Sequence, residues 1–73
     1  MHIVIKHTKT IDEFKQLKAE MEEKALRYAE AHKQAFEVWQ EGDIDRVWLD
    51  DGVLCIQYES GNWWHYNDAG EWW

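Results

Sequence analysis

The sequence predicts an α+β fold: one long helix packed on one face of a small antiparallel sheet, in the order short N-terminal strand, helix, three-stranded meander. Three observations carry this. Apolar residues recur at intervals of three and four between Phe14 and Trp39, the period of one helix face. After Gly42 the period drops to two, the alternation of strands. Glycines fall only at Gly42, Gly52, Gly61 and Gly70, each at the edge of a patterned run.

Taken in order, Ile3-Val4-Ile5 is a β-branched run and reads as the first strand. Thr10-Ile11-Asp12-Glu13 has the form of a capping box, in which the Thr10 hydroxyl and the Glu13 carboxylate satisfy amides of the first turn. No Gly or Pro interrupts Ile11 to Glu41, and Gly42 stands where a helix-terminating residue belongs, so the helix is expected to run from Ile11 to Glu41. Its apolar stripe is Phe14, Leu17, Met21, Ala25, Tyr28, Ala31, Ala35, Val38 and Trp39. Lys24 and His32 interrupt that stripe, and Leu26 points away from it. Ile44–Leu49 and Val53–Tyr58 are strands joined by Asp51-Gly52, a two-residue hairpin signal. Trp63–Tyr66 forms a third strand after Glu59-Ser60-Gly61-Asn62, and Glu71-Trp72-Trp73 follows a last turn as a stub.

A chain of 73 residues reads as one domain over 1–73 and buries only about 60–65% of its unfolded surface. Its single cysteine, Cys55, permits no internal disulfide, which fits a reducing compartment. With neither an export signal nor a long uncharged stretch, the expectation is a soluble, cytoplasmic protein. The formal net charge is -7 and is unevenly placed. Seven basic residues nearly balance eight acidic ones up to Glu41. Beyond it Arg46 stands alone against Asp43, Asp45, Asp50, Asp51, Glu59, Asp68 and Glu71. Nucleic-acid binders need the opposite sign to displace counterions from phosphate, and anionic lipid surfaces are disfavoured for the same reason.

The hairpin from Asp50↔Val53 assigns faces. Val47, Leu49, Leu54, Ile56 and Tyr58 share one, the seat for the helix; Ile44, Arg46, Trp48, Val53, Cys55 and Gln57 share the other. A three-residue loop with a left-handed Gly61 sends Trp64 and Tyr66 inward and Trp63 and His65 outward; a two-residue loop reverses them. One helix covers only one face, so Trp48, one of Trp63 and Trp64, and Trp72 or Trp73 are expected to remain as an aromatic patch. Clustered tryptophans of this kind mark interfaces. The competing reading has the C-terminal tail or the first strand folded over them as a second small core. A helix to Glu41 would span about 46 Å against about 17–20 Å for the strands. Either the helix bends or breaks, or one end overhangs the sheet; the stripe continues to Trp39, so an overhang would be apolar too, which makes homodimerisation through the helix a further expectation.

Chemistry-bearing groups are sparse. His2, His7, His32, His65 and Cys55 show no finger spacing and no helical pair of histidines, so no metal site and no cofactor are expected. Cys55 lies in an apolar strand without a basic neighbour, the setting of an inert thiol. Asp50-Asp51 belongs to a turn, and neither a phosphate-binding glycine loop nor a nucleophile elbow is present. No catalytic residue is expected. Gly61-Asn62-Trp63-Trp64, Tyr66 and Gly70 locally resemble the aromatic hairpin repeats of bacterial choline- and glucan-binding proteins. That resemblance implies an aromatic platform for such ligands, but those proteins stack several copies and repeat architectures need about three units. The reading favoured here is a small acidic module that docks on a larger protein's basic surface. Its anchors would be Trp48, Trp63, Trp64 and Trp72, with Asp45, Asp50, Asp51 and Glu59 steering the approach. Size, acidity and lack of catalytic parts together resemble the profile of small phage or mobile-element inhibitors, anti-CRISPR proteins and DNA mimics among them. A structural homo-oligomer is the alternative.

Overall fold

The computed structural model describes residues 1–73. It consists of β1 (His2–Ile3), α1 (Ile11–Gln34), β2 (Ile44–Asp50), β3 (Val53–Tyr58) and β4 (Trp63–Tyr66), with the strands side by side in chain order. The helix lies on one face of the sheet, and β2–β4 form the expected antiparallel meander. The sheet as a whole is mixed, because β1 pairs parallel to β2, with His2 opposite Arg46 and Ile3 opposite Val47. Neighbouring parallel strands cannot be joined by a tight turn, and α1 supplies the crossover. The strand lies one residue earlier than the β-branched run suggests, although Val4 N still donates to Val47 O at 2.8 Å. No helix is long and apolar enough to cross a membrane.

Thr10 caps α1 as expected, its hydroxyl accepting from Glu13 N at 3.1 Å. Glu13 reaches back one residue further than in a standard box, to Lys9 N at 3.0 Å. The other end departs from expectation. The helix stops at Gln34, seven residues short of Glu41, through tight final bonds from Ala35 N to His32 O and from Phe36 N to Lys33 O. Local propensity does not demand a stop here; packing does. A straight continuation would carry Trp39 beyond the sheet. By turning, the chain sets the Trp39 ring edge-on to Tyr58 at 5.1 Å and to His32 at 5.0 Å. The Trp39 indole N–H donates to Gly42 O at 2.8 Å. Even partial burial of a tryptophan outweighs a few helix bonds that water can replace.

The buried helix positions are Met21, Ala25, Ala29 and His32. Ala29 replaces Ala31 and Ala35 in the expected stripe, both of which are exposed. Of the two outcomes expected, the helix breaks off, at Gln34, and at its N-terminal end it leaves Ile11 at 74% and Phe14 at 41% exposure. From Met21 to His32 the helix rises about 17 Å, which matches the length of β3. Val47, Leu54, Ile56, Tyr58 and Tyr66 complete the core from the sheet side.

The hairpin register is as expected, with Asp50 opposite Val53 and Leu49 opposite Leu54. Asp51 and Gly52 both take positive φ, the mirror-image turn that suits strand twist. A register shift between Ile44 and Arg46 moves Ile44 to the helix face, where it packs against the core instead of lying beside Trp48. The extra residue is Asp45, and an inserted residue reverses the alternation.

Gly42 is not a helix cap but a pivot in the α1–β2 connection. Its φ is +77°, and a Cβ there would sit 2.7 Å from Glu59 Oε1. That oxygen accepts from Asp43 N at 2.7 Å. Glu41 fastens the same region, its Oε1 accepting from Ser60 Oγ at 2.9 Å and Asn62 Nδ2 at 2.7 Å. Gly42→Ala therefore meets both backbone strain and a crowded neighbour, with an expected cost of about 2–3 kcal/mol in urea unfolding. Gly52→Ala, where nothing lies within 4 Å, is expected to cost about 1 kcal/mol. Equal losses at the two positions would show that the Glu59 contact carries no weight.

Candidate functional site

The loop between β3 and β4 sorts the aromatic residues. Gly61 takes φ +94°, Gly61 N donates to Tyr58 O, and Tyr58 N donates to Asn62 O. This is the three-residue solution, and it places Gln57 opposite Trp63 and Ile56 opposite Trp64. Trp63 and His65 therefore face away from the helix, while Trp64 and Tyr66 face it. The C-terminal stub follows the same alternation. His65 and Trp73 exchange backbone bonds of 2.9 and 3.2 Å, and Tyr66 bridges to Trp72. Trp73 thus joins the outer face and Trp72 the inner one.

On the outer face a row of rings crosses the strands. Trp48 meets Trp63 at 5.4 Å, Trp63 meets His65 at 5.1 Å, and His65 stacks flat on Trp73 at 5.0 Å. Arg46 lays its guanidinium over Trp48 at 5.2 Å. Trp63 remains 47% and Trp73 55% exposed. Neither the C-terminal tail nor β1 closes over this row; Trp73 extends it. Cys55 sits at the centre of the face, between Trp48 and His65 in register, and is fully buried beneath its neighbours. Burial, and then the charge of Asp50, push its thiol up to about 11, so it stays protonated at neutral pH.

The inner face is a different environment. His32 is buried and enclosed by Phe36, Trp39, Tyr58, Trp64, Tyr66 and Trp72, the last stacked on it at 4.4 Å. Its Nδ1 lies 2.6 Å from the Tyr66 hydroxyl, which lies 2.7 Å from the Tyr58 hydroxyl. The chain of polar groups satisfies three buried side chains inside an aromatic shell. Burial raises the Tyr58 and Tyr66 hydroxyls above the ordinary tyrosine value. Tyr28 stacks on Tyr66 at 5.8 Å and donates its hydroxyl proton to Asp68 Oδ1.

Among the expected anchors, Trp48 and Trp63 lie together on the outer face. Trp64 and Trp72 do not: the register turns both inward onto His32, where they are partly buried. Of the expected acids, Asp45, Asp50 and Asp51 are exposed along β2 and its turn. Glu59 is exposed as well, but its carboxylate is tied to Asp43 N. Sequence reasoning left Trp72 and Trp73 as alternatives for this face and named only Trp72 as an anchor; Trp73 takes the place, which depends on the stub pairing with β4. It also read His32 as an interruption of the helix stripe, whereas the early stop of α1 closes Trp39 and Phe36 over it. A third omission is a convergence of donors: the ligand atoms of Asp50, Cys55 and His65 lie within 4.8 Å of one another. Their chain spacing conceals this, because adjacency across three strands is set by register. Comparison with family models, curated proteins and solved structures finds no match.

Burial holds the His32 imidazole below its ordinary pKa, with the charge of Glu41 opposing more weakly. The unfolded chain therefore takes up a proton at about pH 6.5 that the folded chain refuses. Stability from this group is complete above that pH and is lost as pH falls toward the folded value. The thermal midpoint is expected to drop between pH 7 and 5.5 in wild type and to drop less in His32→Gln. Identical pH slopes in the two proteins would place the effect elsewhere.

Proposed function

We propose that the chain is a protein-binding module, an inhibitor or adaptor that docks through the outer sheet face onto a basic surface of a larger protein. The observation that carries this is the uncovered row Trp48–Trp63–His65–Trp73, with half-exposed indoles at Trp63 and Trp73. An apolar patch with Trp at its centre and polar residues at its rim is the usual anatomy of a hot spot. Asp45 and the pair Asp50 and Asp51 stand toward the two ends of β2, the strand that carries Trp48, a pattern suited to attracting cationic partners. Basic surfaces that match such a charge are commonly nucleic-acid channels, and an inhibitor carried by a phage or mobile element, such as an anti-CRISPR protein or DNA mimic, is the sharpest form of the proposal. No catalytic role is included, since the one thiol is buried and protonated.

The test is a nuclease-treated pull-down from host lysate, read by mass spectrometry, with Trp63→Ala/Trp73→Ala as control bait. Recovery of a basic nucleic-acid enzyme by wild type alone supports the proposal. With that partner purified, each truncation is expected to cost about 2 kcal/mol, or about 30-fold in Kd. Affinity is also expected to fall steeply with added salt. Recovery of the chain itself and nothing else would instead assign the face to self-assembly.

A further inference from the structure

The outer face carries three donors whose arrangement the docking proposal does not use. His65 Nδ1 lies 3.2 Å from the Trp73 main-chain oxygen, which can only accept, so Nδ1 carries the proton. A neutral His65 therefore presents the bare lone pair of Nε2. That lone pair faces Asp50 Oδ2 at 3.6 Å, another acceptor, at a separation too long for a hydrogen bond. Cys55 Sγ completes the group, its sole polar contact being Val53 O at 3.8 Å.

Two ligands each ~2.1 Å from a tetrahedral ion stand ~3.4 Å apart. The His65–Asp50 separation of 3.6 Å is close to that spacing. The main-chain acceptor on Nδ1 is also the partner a metal-bound imidazole commonly has, because it fixes the tautomer that leaves Nε2 free. We infer that Asp50, Cys55 and His65 form a site for one zinc-class divalent ion, with a fourth position open to solvent. Sulfur and imidazole donors select Zn²⁺ over the hard cations Mg²⁺ and Ca²⁺. On binding, the Cys55 S–H bond breaks, its proton passes to solvent and the sulfur pair forms the metal–sulfur bond. His65 and Asp50 give electron pairs without losing a proton. The ion enters from the Asp50 side, where the carboxylate is 61% exposed, and ties β2, β3 and β4 together.

The full chain, stripped with chelator and desalted, is titrated anaerobically with Co²⁺ as a spectroscopic stand-in for Zn²⁺. Cys55 is the sole cysteine, so a thiolate-to-cobalt charge-transfer band can arise here alone; His2 and His7 cannot produce it. The expected result is a band that saturates at one equivalent per chain and disappears on adding Zn²⁺. Asp50→Asn, a conservative change at an exposed position, is expected to weaken binding at least about tenfold. Absence of the band in wild type at saturating cobalt would overturn the site. An unchanged isotherm in Asp50→Asn would overturn the three-ligand assignment.

Discussion

The left-handed backbone at Gly61 fixes how β4 pairs with β3, and that register decides which chemistry each face of the sheet carries. A slip of one residue would exchange Trp63 and His65 with Trp64 and Tyr66. The hydroxyl of Tyr66 would then leave His32, and the imidazole would sit among aromatic rings without a partner. A buried polar group so orphaned costs on the order of 1–3 kcal/mol. The hydrogen-bonded chain His32–Tyr66–Tyr58 thus guards the register that a short loop alone specifies weakly. Because β4 in turn holds Trp72 and Trp73, the same constraint reaches the end of the chain.

The two faces use the same residue types to opposite effect. Around His32, tryptophan and tyrosine close a shell in which the polar groups satisfy one another, and the result is rigidity. Around Cys55 the rings lie across the strands with no second layer over them. Trp48 is covered in part by its neighbours and by Arg46, whereas Trp63 and Trp73 keep about half their surface in water. The inner face shows that this fold can shelter tryptophan in part, as it does Trp39, Trp64 and Trp72.

Legibility in the sequence followed the range of the interaction that decided each feature. The β2–β3 hairpin was readable because Asp51-Gly52 fixes it locally, and the helix start because Thr10 does. The early end of α1 was not, because it answers to Trp39 docking on Tyr58, nineteen positions later in the chain. Ile44 was assigned to the outer face because strict alternation was carried through Asp45, where a bulge breaks it. The parallel pairing of β1 has no local signature at all. The outer aromatic row was foreseen at Trp48, while Trp63 was left open against Trp64 and Trp73 against Trp72. Placing Trp73 requires knowing that the stub pairs with β4, which two turns of unknown length obscure.

Charge shows how far composition can be trusted here. The acidic second half of the chain suggests a continuous rim, but the structure consumes much of it. Glu59 accepts from Asp43 N, Asp68 accepts from Tyr28, and Glu71 accepts from Asn67 Nδ2 at 2.9 Å. The Tyr28 hydroxyl, and then Lys24, hold the Asp68 carboxyl below its ordinary value. The acids left without a hydrogen bond to their side chains are Asp43, Asp45, Asp50 and Asp51, all on β2 or immediately beside it. The field a partner meets is therefore concentrated along one strand that also carries Trp48. A concentrated charge beside an anchoring ring orients an approaching surface as well as attracting it, which a diffuse negative coat cannot do. Asp50 stands where the two proposals meet, as the acid that faces His65 and the last residue of β2 before the hairpin turn. A cation bound there would offset one of the four carboxylates on or beside β2 and so change the field on which docking depends.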